Sequence, residues 1–312
     1  MKQTLTSPSG VPASRLAFGT MQFGGRADEA QSRAMFEACV EAGITHFDTA
    51  HIYTEGASET LLGSFLGDRR DDLIIATKAA YSGGATRENI LTTAETSRQR
   101  MKLDTLDVLY LHRFDPDTDM RESFQAFADL KNKGHIRYIG LSNFSAWQTV
   151  KAAHIAAKFD LSVAVIQPMY NLVKRQAEVE ILDMAHDLGI LVAPYSPLGG
   201  GLLTGKYAQG GAGRLSEDDR YAARYGVEAM HKTAADLTTL GAEIGMHPAT
   251  LAVAWAAGHP TGPSPIISGR SLEQLRPSLD ALTFEMSPAL YERITALSTT
   301  PPPATDRLEE QS

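Results

Sequence analysis

The chain has 312 residues, with 29 Lys and Arg against 37 Asp and Glu for a net charge of −8, and 43% of its residues are hydrophobic. That composition excludes disorder and collagen-like repeats, and the acidic balance argues against a nucleic-acid binder, which carries a basic patch or stripe. The single cysteine, Cys39, cannot form an internal disulfide, and no apolar stretch reaches the roughly 18 residues that span a bilayer.

Short apolar runs rich in β-formers alternate with longer helical patterns, the rhythm of a parallel sheet covered by helices. In chain order the strands are expected at residues 15–18, 44–47, 73–77, 107–111, 136–141, 163–167, 190–194 and 265–267. Most are continuously apolar, as strands buried on both faces should be. Between the first two, Asp28 caps a helix whose stripe is Ala34, Met35, Ala38, Cys39 and Ala42, closed by Gly43 as C-cap; Cys39 is therefore core. Seven strand-to-strand steps cover the 250 residues from Leu16 to Ile266, about 36 per step and close to one βαβ unit. Eight such units close a TIM-type (β/α) eight-stranded parallel barrel, here preceded by an N-terminal hairpin within residues 1–15 around Ser9-Gly10. An open dinucleotide-binding sheet would carry G-x-G-x-x-G after its first strand, where this chain reads Phe18-Gly19-Thr20-Met21. One domain is expected over residues 1–312, with a long Gly-rich loop at 205–226 and a loose tail at 300–312 holding Pro301-Pro302-Pro303. Met1 to Gly10 has no apolar core of a secretory signal, so a cytoplasmic protein without membrane attachment is expected.

Barrels of this kind place their active site at the C-terminal ends of the strands. There this chain puts Asp48 with Tyr53 five residues on, Lys78, His112, Ser142-Asn143, Gln167 and Tyr195-Ser196. Each alone has an ordinary reading: a cap, a solvated charge, a core histidine, a packed aromatic. Together, four strands or their loops bring an acid, a phenol, an amine and an imidazole to one rim. A carboxylate and an ammonium half-buried there should pair, since either alone is costly.

On these residues the chain resembles the aldo-keto reductases, nicotinamide-dependent reductases built on an eight-stranded α/β barrel. Phe47-Asp48-Thr49-Ala50 with Tyr53, Ala76-Thr77-Lys78 and Leu111-His112-Arg113 match the family's catalytic Asp, Tyr, Lys and His. The resemblance implies reduction of aldehydes or ketones by NADPH, with Tyr53 as general acid, Lys78 lowering its pKa, Asp48 anchoring Lys78, and His112 orienting the carbonyl. It implies cofactor contacts from Gly19, Thr20, Met21, Asp48, Ser142, Asn143, Gln167, Tyr195, Ser196, Pro197, Leu198, Gly201, Lys206, Ser268, Arg270 and Gln274. Ser142, Asn143 and Gln167 would face the carboxamide, and Tyr195 would stack on the nicotinamide.

Gly200 to Lys206 reads G-x-x-x-x-G-K, but Tyr207 stands where a nucleotide-hydrolysing loop needs Ser or Thr; its amides suit a pyrophosphate instead. Arg270, opening a helical pattern through Leu272, Leu275 and Leu279, favours NADPH over NADH because the extra phosphate needs a cation. Pro277-Ser278 after Gln274 departs from the family's adenine-side pattern and is expected to restart the helix. Phe23, Tyr81, Phe114 and Tyr207 suggest a partly apolar substrate pocket. Two rivals remain beside the reductase: a metal-dependent hydrolase, for which the nine His residues supply no His-x-His and no metal site is expected, and a nicotinamide-binding regulatory subunit with little turnover.

Overall fold

A computed structural model describes residues 4–307 and 309. Eight parallel strands, β1 (Ala17–Gly19), β2 (His46–Asp48), β3 (Ile74–Ala79), β4 (Leu106–Leu111), β5 (Ile136–Ser142), β6 (Val163–Gln167), β7 (Leu191–Val192) and β8 (Ile266–Ile267), lie in the order 7-6-5-4-3-2-1-8. The remaining gap, between β7 and β8, is bridged where Ser264 N donates to Val192 O and Ile266 N to Pro194 O, both at 2.8 Å, and where Tyr195 pairs in parallel with Ile266. The sheet thereby closes into the expected (β/α) barrel.

The helices α1 (Glu29–Glu41), α2 (Ala57–Phe65), α3 (Arg87–Met101), α4 (Met120–Asn132), α5 (Ala146–Ala157) and α6 (Ile181–Asp187) fall between the strands up to β7. After β7 come α7 (Arg214–Glu217), α8 (Asp219–Tyr225), α9 (Glu228–Ile244) and α10 (Pro248–Ala257), and after β8 come α11 (Leu272–Leu279) and α12 (Pro288–Thr295). No helix among the described residues is long and apolar enough to cross a membrane.

Two apolar layers explain why the strands read as continuous apolar runs. Phe18, Phe47, Ile75, Leu109 and Leu141 belong to the layer that packs on the helices. Their neighbours Ala17, Ile74, Ala76, Val108 and Tyr110 form a second cluster inside the barrel, joined by Leu5 of the hairpin. Since side chains alternate along a strand, the inner parity continues to Asp48, Lys78, His112, Ser142 and Gln167 at the strand ends. Hydrophobic parity thus aims these five polar residues at the barrel axis. Gly140 keeps the same parity, and any side chain there would run into the Tyr110 ring.

Some boundaries differ from the sequence expectation. Asp28 caps α1, accepting from Gln31 N at 2.8 Å, but the C-cap is Ala42 and Gly43 follows it with φ +83°. The left-handed turn falls one residue beyond the cap, where glycine is favoured. β3 continues one residue past Lys78 because Ala79 still pairs with Leu111 of β4. Pro277 does not restart a helix: α11 runs through it, and the Pro277 carbonyl, in the last turn, accepts from Thr250 Oγ1 at 2.6 Å. The segment at 205–226 is not a plain loop, because it contains α7 and α8, and Tyr221 and Tyr225 stack on each other along α8. The hairpin forms through an antiparallel bridge between Thr6 and Pro12 and is tied to the barrel by Arg137, which donates to Thr6 O at 2.7 Å and pairs with buried Asp107 at 2.9 Å. The parts of the expected hairpin and tail at 1–3, 308 and 310–312 lie outside the described residues.

His46 lies wholly inside the barrel, with neither ring nitrogen hydrogen-bonded among the described residues. Burial lowers its pKa from 6.5 to about 4, and the Asp48 and Asp107 charges offset that only in part. The unfolded chain protonates near the ordinary value while the barrel refuses the proton until about 4. Stability from this site is therefore complete above pH 6.5 and falls by about 3 kcal/mol as pH drops through 4. In melting curves from pH 7 to pH 4, His46→Leu is expected to lose less Tm than the wild type; an equal loss would refute the assignment.

Candidate active site

Asp48 and Lys78 form a buried ion pair at the C-terminal ends of β2 and β3, with exposures of 3% and 1%. Lys78 Nζ also donates to Thr49 O at 2.7 Å and to the Tyr53 hydroxyl at 3.4 Å. The other Asp48 oxygen, Oδ1, accepts from Gln167 Nε2 at 2.8 Å. The ammonium lies between two aromatic faces, 5.0 Å from the Tyr53 centroid and 5.7 Å from that of Tyr110. His112 meets Tyr53 edge to face, with centroids 6.1 Å apart. The four residues singled out from sequence therefore converge on one point at the mouth of the barrel.

The charge states follow from this packing. Burial opposes the Lys78 charge, but the Asp48 carboxylate and the Tyr53 oxygen together hold the ammonium above its ordinary pKa. His112 is pushed down to about 3, first by burial and then by the Lys78 and Arg113 charges, so its imidazole is neutral in ordinary buffers. Tyr53 corrects the sequence expectation. Burial raises the phenol above 10 and outweighs the pull of Lys78, so the group stays a protonated phenol rather than approaching phenolate.

The residues assigned to the nicotinamide end are already tied to one another. Ser142 Oγ donates to Gln167 O at 3.3 Å. Asn143 Nδ2 donates to His112 O and to Ser142 Oγ, both at 3.0 Å, while its Oδ1 accepts from the Tyr195 hydroxyl at 2.8 Å. Asn143 and Ser196 both hold left-handed backbone, with φ of +58° and +59°. Such conformations in non-glycine residues gather where a site over-determines the chain. Gly19 packs so tightly on Ile266 of β8 that no side chain fits, and Thr20 is fully buried, donating to Asp48 O at 3.2 Å. Thr20 supports the strand end from behind, whereas Met21 is exposed.

Past β7, Pro197 is buried and Leu198 half-buried, and the chain then turns through Gly199, Gly200, Gly201 and Gly205, all with positive φ. Lys206 folds back over this turn, its Nζ 3.4 Å from where a Cβ on Gly201 would stand. It has no carboxylate partner among the described residues, and burial, followed by the Arg270 charge, lowers its pKa. At the end of β8 the Ser268 hydroxyl is buried with no hydrogen-bond partner among the described residues. Arg270 precedes α11, capped by Ser271, and its backbone N–H donates to Gln274 Oε1 at 3.3 Å. Arg270 is not free: Glu217 of α7 pairs with it at 2.9 Å and also with Arg26 from the loop after β1.

The sequence reading did not find the Gln167 bond to Asp48, the Tyr110 ring beneath Lys78, or the reach of Glu217. Of these, Tyr110 was within reach, since it shares the parity of His112 two residues on. Phe23 is a correction: it packs on Phe18 and Phe65 at 5.7 and 5.9 Å and is core, not pocket. Tyr207 turns its hydroxyl to Gly200 O at 3.4 Å, so of that group Tyr81 stands against His112, while Phe114 packs on Phe144. Among the described residues no group of three or more His, Cys, Asp or Glu side chains could hold a metal ion.

The model of the aldo/keto reductase family matches residues 15–299. The chain is similar to the "Probable voltage-gated potassium channel subunit beta" of Oryza sativa subsp. japonica, at 31% identity over 96% of this chain and 97% of the relative. It is similar to the "Uncharacterized oxidoreductase YrpG" of Bacillus subtilis (strain 168), at 33% over 92% of each chain. It is also similar to "Protein tas" of Escherichia coli (strain K12), at 28% over 93% of this chain and 95% of the relative.

Proposed function

The chain belongs to the aldo/keto reductase family of NAD(P)H-dependent oxidoreductases, and from that premise we propose that it reduces aldehydes or ketones to alcohols with Tyr53 as the proton donor. The observation that carries the reading is a buried Asp48–Lys78 pair set against a protonated phenol and a neutral imidazole. A bound dihydronicotinamide supplies the hydride. The remaining work falls to this chain. His112 places the carbonyl oxygen beside Tyr53, and the Tyr53 hydroxyl gives its proton to that oxygen as negative charge develops there. Lys78 then stabilises the phenolate left behind, and Asp48 keeps Lys78 charged and in place.

The residues present fit a dinucleotide. Among the described residues Lys206, beside a glycine turn, makes no ion pair, and the buried Ser268 hydroxyl has no hydrogen-bond partner. Those two suit phosphate oxygens; Gln167 Oε1 and the Ser142 hydroxyl suit the carboxamide, and the Tyr195 ring suits the nicotinamide face. The 2′-phosphate of NADPH would share Arg270 with Glu217 at the head of α11. Arg270→Gln is therefore expected to weaken NADPH binding by about tenfold or more, as lost charge-assisted hydrogen bonds do, with NADH nearly unaffected. Nucleotide fluorescence titration reads both, and an equal loss for the two would count against NADPH selectivity.

The name of the rice relative motivates a second reading, a nicotinamide-binding regulatory subunit. Following nicotinamide oxidation by purified protein with an aromatic aldehyde panel separates the two. Turnover supports the reductase; cofactor binding with no turnover on any carbonyl supports the regulatory subunit.

A further inference from the structure

Tyr81, in the loop after β3, lies 4.8 Å from the His112 ring and is 41% exposed. The Arg113 guanidinium sits over that Tyr81 ring, 5.0 Å from its centroid. His112, Tyr81 and Arg113 thus lead outward from the proposed reaction point, and the cation stands no more than two ring spacings from the imidazole. Arg113 makes no ion pair or hydrogen bond with any described residue. The nearby carboxylate of Asp115 is engaged elsewhere, accepting from Ala85 N at 2.7 Å, Asp117 N at 3.0 Å and Thr118 Oγ1 at 2.7 Å. Beside Arg113, Phe114 meets Phe144 and Trp147 edge to face at 5.7 and 5.9 Å, and Trp147 is 60% exposed. The mouth of this acidic protein therefore presents apolar rings and, beside His112, a guanidinium that makes no ion pair among the described residues, with the Asp115 charge as its nearest carboxylate influence.

We propose that the substrate is a carbonyl compound that also bears a carboxylate, its carbonyl at Tyr53 and His112 and its carboxylate on Arg113, with an apolar body between. The proposal rests on the reductase reading and narrows it. A guanidinium fork matches a carboxylate with two parallel hydrogen bonds, and stacking on Tyr81 fixes the fork before the ligand arrives. Exposed ion pairs in water contribute little, but a substrate body lying over Tyr81, Phe114 and Trp147 removes water from the pair.

The test compares kcat/KM for 4-carboxybenzaldehyde and 4-methylbenzaldehyde with NADPH in the wild type, Arg113→Gln and Arg113→Lys. The wild type is expected to favour the carboxylate by about tenfold or more, the strength of a charge-assisted contact. Arg113→Gln is expected to bring the ratio close to one, and Arg113→Lys to keep part of it, since the charge stays and the fork is lost. Taking the ratio cancels any general loss of folding or turnover. Equal kcat/KM for the two aldehydes in the wild type, or an unchanged ratio in Arg113→Gln, overturns the carboxylate assignment and leaves the reductase standing. A wild type that binds NADPH and reduces neither aldehyde removes the reductase reading, and this inference with it.

Discussion

Tyr53→Phe is expected to cut the turnover of carbonyl reduction by about two to four orders of magnitude, the usual contribution of a positioned acid, while cofactor affinity is kept. The substitution removes one oxygen and leaves the ring that faces Lys78 and meets His112. Lys78 loses a 3.4 Å bond but keeps Asp48 and the Thr49 carbonyl. Stability should therefore change little and turnover a great deal. The protonated phenol is the active form, so activity in the reduction direction should hold as pH rises and fall only above 10, because burial raises the Tyr53 pKa. His112, lowered to about 3, should add no limb between pH 5 and 8. A Tyr53→Phe variant within about threefold of the wild type in kcat would assign the proton to another group, with His112 the nearest.

Asp48→Ala is expected to be the most destabilising of the simple substitutions at the site. It strands the Lys78 ammonium in a buried position and releases the Gln167 amide, and breaking a buried pair from one side typically costs about 3–5 kcal/mol. Without Asp48 only the Tyr53 oxygen opposes the effect of burial on Lys78, and the pKa of the amine should fall. Adding Lys78→Met to Asp48→Ala should restore part of the stability while leaving the enzyme inactive, since an apolar residue no longer needs a counter-charge. Denaturant unfolding of the two single variants and the double variant measures the coupling. Strictly additive losses would mean that the pair is not the unit holding this corner of the barrel.

The succession of strands and the place of Asp48, Lys78 and His112 at strand ends were legible in the chain because both depend on short-range rules, while Tyr53 joined them through the resemblance to the aldo-keto reductases. The βαβ rhythm sets the fold class, and parity along each strand sends Asp48, Lys78 and His112 inward without any need for coordinates. Tyr53 was misjudged for a different reason. Its pKa reflects a balance between a nearby ammonium, which spacing suggests, and desolvation, which only the assembled barrel determines. Glu217 was missed because its partners lie 191 and 53 residues away in the chain and meet it only when α7 is folded over the mouth. Phe23 looked like a pocket residue from its place beside a loop, yet it turns inward onto Phe18 and Phe65. The course of α11 through Pro277 was likewise hidden, since the residues packed around its last turn, Thr250 of α10 among them, come from elsewhere in the chain.

The strands of the barrel are unequal in a way that separates its tasks. β3, β4 and β5 have six, six and seven residues and form long ladders, whereas β7 and β8 have two each. Lys78 and His112 are thus mounted on the stiff side of the ring. The glycine turn, Ser268 and Arg270 border its seam, where few backbone bonds resist opening. A molecule as long as a dinucleotide laid along that seam would act as a splint, so the geometry around the reacting atoms need not loosen for such a large ligand to enter and leave.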